Sequence, residues 1–472
     1  MLGDETLAIR LTEVQDARHA HHEDTWYRWF VFASLALAIG GGFLLSALLP
    51  LAHAMEWDWG RRWLALAQAH GQLQLLGFGG LFAMGMALRM VPRFAGLELA
   101  FPQAARAVMP LVASSLVLRA LAQPAGDGVV RNTALLVSAA LLLGGGCAFA
   151  AIILRMLARP GSRAEAVGYF FVLGAVAYVA GAVINLLQVV EMVRDGLPQA
   201  PMARQPSLII VQQFGFLLMF MSGVATRAVP TFTGRPRADR GGRVTALALA
   251  CGVAAVSGAG LWESYRSMSV AATRVMDAGF LVCGGAFVGV VWLTGIFHPR
   301  ANRVAAASQT QFHFVRAAMA WLLVAAALIA WYAGRALIDG RALDVYEIDA
   351  IRHTLTVGVM SMMIIGIGMM IVPEFAGRRL QHPDERVLIV GMLVAMNLAV
   401  VLRLWPALRG LDWIASTRWW PMAAAGGLAE SVIVVFGLMF VQSYFEQRQR
   451  GWGSPQALAA RKAGGKRGDR AT

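Results

Sequence analysis

Charge is scarce in this chain. Of 472 residues, 14% are Asp, Glu, Lys or Arg and 58% are apolar, and mean hydropathy is +0.60. Soluble globular chains carry about 25% charged residues, so a wholly water-facing surface is excluded and much apolar surface must face lipid. Cysteine is nearly absent. Cys147, Cys251 and Cys283 stand singly in apolar segments, with no Cys-x-x-Cys or Cys-x-x-Cys-His motif, and read as core thiols. A cleaved signal peptide is also missing: the first 28 residues are polar and include Glu5, Asp16, Glu23 and Asp24. The first membrane helix should itself direct insertion. His19, His21 and His22 in that tail read as solvated residues, with metal binding the sharper alternative. The formal charge of +14 comes from Arg scattered through short loops and from a basic tail between Arg448 and Arg470. That pattern marks membrane topology and implies no nucleic-acid partner.

What the chain has instead is apolar runs long enough to cross a bilayer. We read twelve spans: Trp29–Ala54, Trp63–Val91, Val108–Ala122, Val129–Leu157, Ala166–Val193, Ser207–Val229, Val244–Tyr265, Ala272–Phe297, Phe312–Leu337, Ile348–Val372, Val387–Leu408 and Trp419–Tyr444. Residues 29–446 then form a single transmembrane domain between a polar N-terminal tail, 1–28, and the basic tail, 447–472. Arg235, Arg237, Arg240, Arg243, Arg300, Arg303, Arg378, Arg379, Arg386 and the basic tail fall on one side, which places both termini in the cytoplasm.

Three segments align without gaps: GFGGLFAMGMALRMVPRFAG from Gly77, GFLLMFMSGVATRAVPTFTG from Gly215 and GVMSMMIIGIGMMIVPEFAG from Gly358. Pro92, Pro230 and Pro373 each lie fifteen residues after the first Gly (92−77, 230−215, 373−358). These are helices two, six and ten, so the unit is four helices used three times, over about 29–157, 166–297 and 312–444. The expected fold is an all-α polytopic membrane protein with pseudo-threefold repetition. Gly at repeated positions permits close approach by a neighbouring helix or by a flat cofactor, and Pro is expected to end each helix.

We read three histidines, His70, His313 and His353, as lying within the membrane. With the N-terminus inside, His70 lies seven residues into helix two (70−63) and His353 five into helix ten (353−348), roughly 8–11 Å below the outer surface at about 1.5 Å per residue. Ionisable residues at such depth are costly and face the bundle interior. Two imidazoles at one level on equivalent helices, beside Gly77 and Gly358, suit axial ligation of a haem iron; two hydrogen-bonded core histidines are the plainer alternative. Arg352, Arg61 and Arg62 would pair with haem propionates, or mark the membrane interface. Helix six offers Gln212 and Gln213 at this level, and amides are poor transition-metal ligands. His313 sits at the other end beside Arg316, as an interfacial residue or a second metal or proton site.

The twelve-helix plan, with His on helices two and ten, resembles the catalytic subunit of the haem-copper oxidase superfamily, whose equivalent helices hold the low-spin haem. The segments AHGQLQLLGFGG at His70, VPRFAG at Pro92 and HTLTVGVM at His353 are more similar to the NnrS family, membrane haem proteins linked to denitrification and nitric-oxide stress. That resemblance implies a bacterial inner-membrane protein with haem b on His70 and His353. The copper ligands of the oxidases have no counterparts: helix six has glutamines, helix seven has no His, and Leu355 stands two residues after His353. No His or Cys cluster offers ligands for the copper reported in the family. The readings carried forward are an NnrS-type haem protein in redox or nitric-oxide handling, an electron-transfer or accessory subunit of a larger complex served by a quinol or a cytochrome, and a transporter without haem. Repeats in transporters usually pair as halves, whereas these come in threes.

Overall fold

The computed structural model describes residues 26–60, 62–159, 165–234, 239–266, 269–298, 304, 308–376, 383–407 and 417–449. Among them are twelve helices long and apolar enough to cross a membrane: α1 (Tyr27–Ala54), α2 (Arg62–Ala95), α3 (Pro102–Ala122), α4 (Val129–Leu157), α5 (Glu165–Arg194), α6 (Gln205–Phe232), α7 (Asp239–Tyr265), α8 (Val270–Thr294), α9 (Gln309–Asp339), α10 (Val345–Met370), α11 (Glu385–Ala407) and α12 (Trp419–Phe445). Several begin before the sequence expectation. α3 starts at Pro102, because Pro at the first helical position has its φ preset and its missing N–H is not needed there. α7 starts at Asp239, five residues early, through a polar turn. Hydropathy reports lipid contact, while the helical hydrogen bonds continue into the headgroup zone.

α2, α6 and α10 form the centre. Their most apolar stretches are 78%, 83% and 83% buried, against 28% to 50% in the other nine, and the three touch one another. Each packs antiparallel on the helix before it through two glycines eight residues apart. A Cβ on Gly77 would meet Leu37 at 3.2 Å and one on Gly85 would meet Phe30 at 2.5 Å. On α6, Gly215 faces Ala177 at 2.9 Å and Gly223 faces Phe170 at 2.9 Å; on α10, Gly358 faces Trp321 at 2.9 Å and Gly366 faces Phe314 at 2.8 Å. The partners are seven residues apart every time, two turns of the facing helix. The repeated glycines Gly77 and Gly358 therefore admit a neighbouring helix, and side chains from α1 and α9 occupy the space a flat cofactor would need.

The central helices share a second feature. Each contains a π-helical stretch of eight residues, Leu73–Gly80, Val211–Leu218 and Thr354–Ser361, which begins four residues before its first repeated Gly. Such stretches wind more loosely than α-helix and shift the faces that follow.

Two sequence expectations are corrected here. Proline does not end the central helices: α2 and α6 carry Pro92 and Pro230 inside their last turn. They stop at Gly96 and Gly234, left-handed with φ 68° and 71°, and the Gly96 and Leu97 N–H groups donate back to the Pro92 carbonyl. A helix loses one hydrogen bond at Pro, whereas the left-handed residue turns the chain away. Of the thiols, Cys283 is buried but Cys147 and Cys251 are exposed, on the outward faces of α4 and α7, where an apolar side chain meets lipid instead of core.

Candidate functional site

α2 brings His70 to the start of its π-helical stretch, and α10 brings His353 to the start of its own. His70 Nδ1 lies 2.6 Å from the Gly42 carbonyl, which ends a π-helical turn of α1, Ala38–Gly42. His353 Nδ1 lies 3.0 Å from the Asp349 carbonyl and 3.0 Å from Asp349 Oδ1. A carbonyl oxygen only accepts, so in each ring Nδ1 carries the proton and a neutral imidazole has its lone pair on Nε2. Neither Nε2 makes a hydrogen bond to a described residue. His353, Arg352 and Arg403 all lie within electrostatic range of His70. Both side chains are half-buried.

The surroundings fix both helices. Gln68, two residues before His70, donates to the Ala200 carbonyl at 2.9 Å and accepts from Gln123 at 2.6 Å. Gln123 in turn accepts from buried Arg119, which also donates to Asn185 at 3.0 Å. On α10, Asp344 caps the first turn and forms a reciprocal box with Glu347. Gln213 of α6 donates to the Arg352 carbonyl at 2.9 Å, and Gln212 lies 3.4 Å from Gln72 of α2. The two α6 glutamines are struts between helices.

Sequence reasoning missed Asp349, Arg403 and His53. Arg403 of α11 reaches Asp349 at 3.1 Å, giving a chain Arg403–Asp349–His353 in which the carboxylate holds the imidazole and the guanidinium holds the carboxylate. Asp349 was discoverable as the acid one helical turn before His353, whereas Arg403 takes its meaning only from the fold, which sets α11 beside α10. His53, at the end of α1, was also overlooked; it packs on Trp63 at 4.6 Å and Trp419 at 4.3 Å, and this aromatic setting gives it a packing role.

The other expected site residues are dispersed. Arg62 is exposed and lines a cavity of about 410 Å³ with Asp58, Trp59, Gly60 and Leu66. Arg352 lines a different cavity, bounded by α6, α7, α8 and α10. Arg61 lies outside the described residues, as do His19, His21, His22 and the basic tail. His313 is exposed at the start of α9, and the structure does not bring it to the histidine pair. Arg89 stacks over Tyr27 and Arg227 over Phe94. Glu191 pairs with Arg204 and Glu263 accepts from Thr273, while neither carboxylate oxygen of buried Asp277 has a hydrogen-bond partner among the described residues. Among the described residues no group of three or more His, Cys, Asp or Glu could hold a metal ion.

No curated protein matches the chain in sequence. The family model described as NnrS protein matches residues 23–448, from just before α1 to just past α12. This twelve-helix membrane protein belongs to the NnrS family.

Proposed function

We propose that the protein is a b-type haem protein of the membrane, with His70 and His353 as the two axial ligands, acting in electron transfer linked to nitric-oxide or redox stress. The observation that carries this reading is the matched state of the two rings: each Nδ1 is committed to a main-chain carbonyl, which leaves each Nε2 as the donor atom that haem iron takes. Bound haem would supply a one-electron iron couple. The chain's own residues do the rest. Gly42 and Asp349 set the tautomer and orientation of the rings. Asp349 raises the electron density on His353, and Arg403 holds Asp349 and brings a cation beside the pair, with a buried Nη1 that makes no hydrogen bond to a described residue and would donate to a propionate.

Filling both axial positions saturates the iron, which favours electron transfer over direct gas chemistry. A conventional copper-containing centre finds no support, since α6 offers only Gln212 and Gln213 at this level. We also read the framework as three four-helix units of a haem-copper-oxidase-like plan. The common Gly pairs on α2, α6 and α10 and the common start of their π-helical stretches support that reading.

The reduced-minus-oxidised optical spectrum of the detergent-purified protein tests the haem assignment. Sharp α and Soret bands in the wild type, lost in both His70→Ala and His353→Ala, are expected. A colourless wild type, or variants with unchanged bands, would overturn it.

A further inference from the structure

We propose that the cavity bounded by α6, α7, α8 and α10 binds a hydroquinone headgroup. Its volume is about 230 Å³, and three polar groups on its lining have capacity to spare. Ser207 is only 3% exposed, and its hydroxyl makes no hydrogen bond to a described residue. Glu263 accepts one bond, from Thr273 to Oε1 at 2.8 Å, and its second oxygen takes none from a described residue. Arg352 lines the same cavity, and its guanidinium is likewise without a hydrogen bond to a described residue. Gly260 opens the space, since a Cβ there would lie 2.6 Å from Ser207 Oγ.

Polar groups left without partners in a largely apolar setting are costly unless a ligand or water completes them. The charges select the ligand. Glu263 disfavours an anion and Arg352 disfavours a cation, so the fit is to a neutral molecule with both a donor and an acceptor. Val256, Phe280 and Ile348 line the cavity with apolar surface, which suits the faces of an aromatic ring. A hydroquinone meets all three demands: one O–H donates to Glu263, while its oxygens accept from Arg352 and Ser207. The rim is open at exposed Pro206, leaving a way out for a ring substituent. The site does not depend on the histidine pair holding haem.

Isothermal titration of the detergent-purified full chain with decylubiquinol, kept reduced under argon, tests this. Saturable binding of one molecule per chain is expected. Glu263→Gln should weaken it by about tenfold or more, since it removes a hydrogen bond to a charged group. Ser207→Ala should weaken it several-fold, by loss of a neutral hydrogen bond. That variant deletes a single unbonded hydroxyl and leaves the fold intact, as its gel-filtration profile would verify. His353→Ala should bind like the wild type, even where it loses the haem spectrum. Failure of the wild type to bind, or equal binding by wild type, Glu263→Gln and Ser207→Ala, would overturn the proposal. So would displacement by nitrite or phosphate, which would make the cavity an anion site. Binding confined to His353→Ala would also overturn it, by assigning the cavity to a haem propionate.

Discussion

α6 and α10 share a backbone frame and carry different side chains. In both, a π-helical stretch starts four residues before a Gly that lies against the preceding helix, with a second Gly against a Phe one π-stretch further on. Where α10 presents His353 with Asp349 and Arg403 around it, α6 presents Gln212 and Gln213, spent on helix-to-helix hydrogen bonds. α2 follows α10, with His70 held by a main-chain carbonyl. The frame sets depth and spacing for all three helices, and the residue type decides whether a position keeps a lone pair to give or braces a neighbour. An imidazole with one nitrogen satisfied still has a lone pair to give, whereas Gln212 is engaged through both ends of its amide by Gln72 and Gln213 through its N–H₂ by the Arg352 carbonyl.

The largest effects should come from breaking the frame, and they should not respect the difference in chemistry. Gly85→Val, Gly223→Val and Gly366→Val each place atoms where a Phe Cβ already stands, at 2.5 Å, 2.9 Å and 2.8 Å. A Cβ is fixed to its backbone, so the helices must separate, at about 1–3 kcal/mol each for overpacking. Gly71→Ala is the control on α2, since nothing lies within 4 Å of an added Cβ. Thermal midpoints in detergent should fall for all three valine variants and hold for Gly71→Ala. A normal midpoint for Gly223→Val alone would show that α6 is not framed like its two counterparts.

A smaller and more selective loss is expected from Asp349→Asn, which preserves shape but removes the charge behind His353. Carboxylates that support a ligating His contribute about 10- to 100-fold in metal affinity. Haem retention should therefore weaken within that range, and the midpoint potential should rise as His353 donates less to the iron. Redox titration with a haem-release assay measures both. Gln213→Leu, which removes the polar group at the same level of α6 and adds no charge, should leave the potential nearly unmoved; equal shifts in the two variants would erase the distinction between the two helices.

Much of the frame was legible in the sequence because its causes are local. Apolar runs mark the spans, and the repeated Gly and Pro mark α2, α6 and α10. The π-helical stretches left no sequence signal, since they follow from how three helices fit at one axis. The role of Gly77 and Gly358 was half legible: small residues announce close approach, but only the fold says that Leu37 and Trp321 make it. His70 and His353 stood out as ionisable residues inside apolar segments. Arg403 did not, because its meaning depends on α11 lying beside α10, 54 residues from Asp349, and nothing in a single sequence reports that neighbour. Arg352 was read from adjacency to His353, yet successive residues on a helix point about 100° apart, and its side chain serves another cavity.

The smallest effect concerns how α10 begins. Arg341, between α9 and α10, donates from both terminal nitrogens to Glu347 at 2.8 Å each, so a guanidinium clamps the first turn of α10. The start of α6 has no side-chain cap at all. The bond to Glu347 holds the Arg341 value above its ordinary range. A folded value above the unfolded one gives a contribution that is complete below the unfolded value and fades only as pH rises through the folded one. On the arginine side the clamp is thus constant between about pH 6 and pH 9, far below any arginine titration. Arg341 is more than a third exposed and water screens the pair, so Arg341→Met should cost about 1 kcal/mol or less. Glu347 keeps its place, because it also accepts from the Asp344 N–H at 2.9 Å. Midpoints measured across that pH window should show a small and constant loss, with the histidine site unaltered. A loss that grew steeply with pH would mean that another group, and not this guanidinium, secures the helix that carries His353.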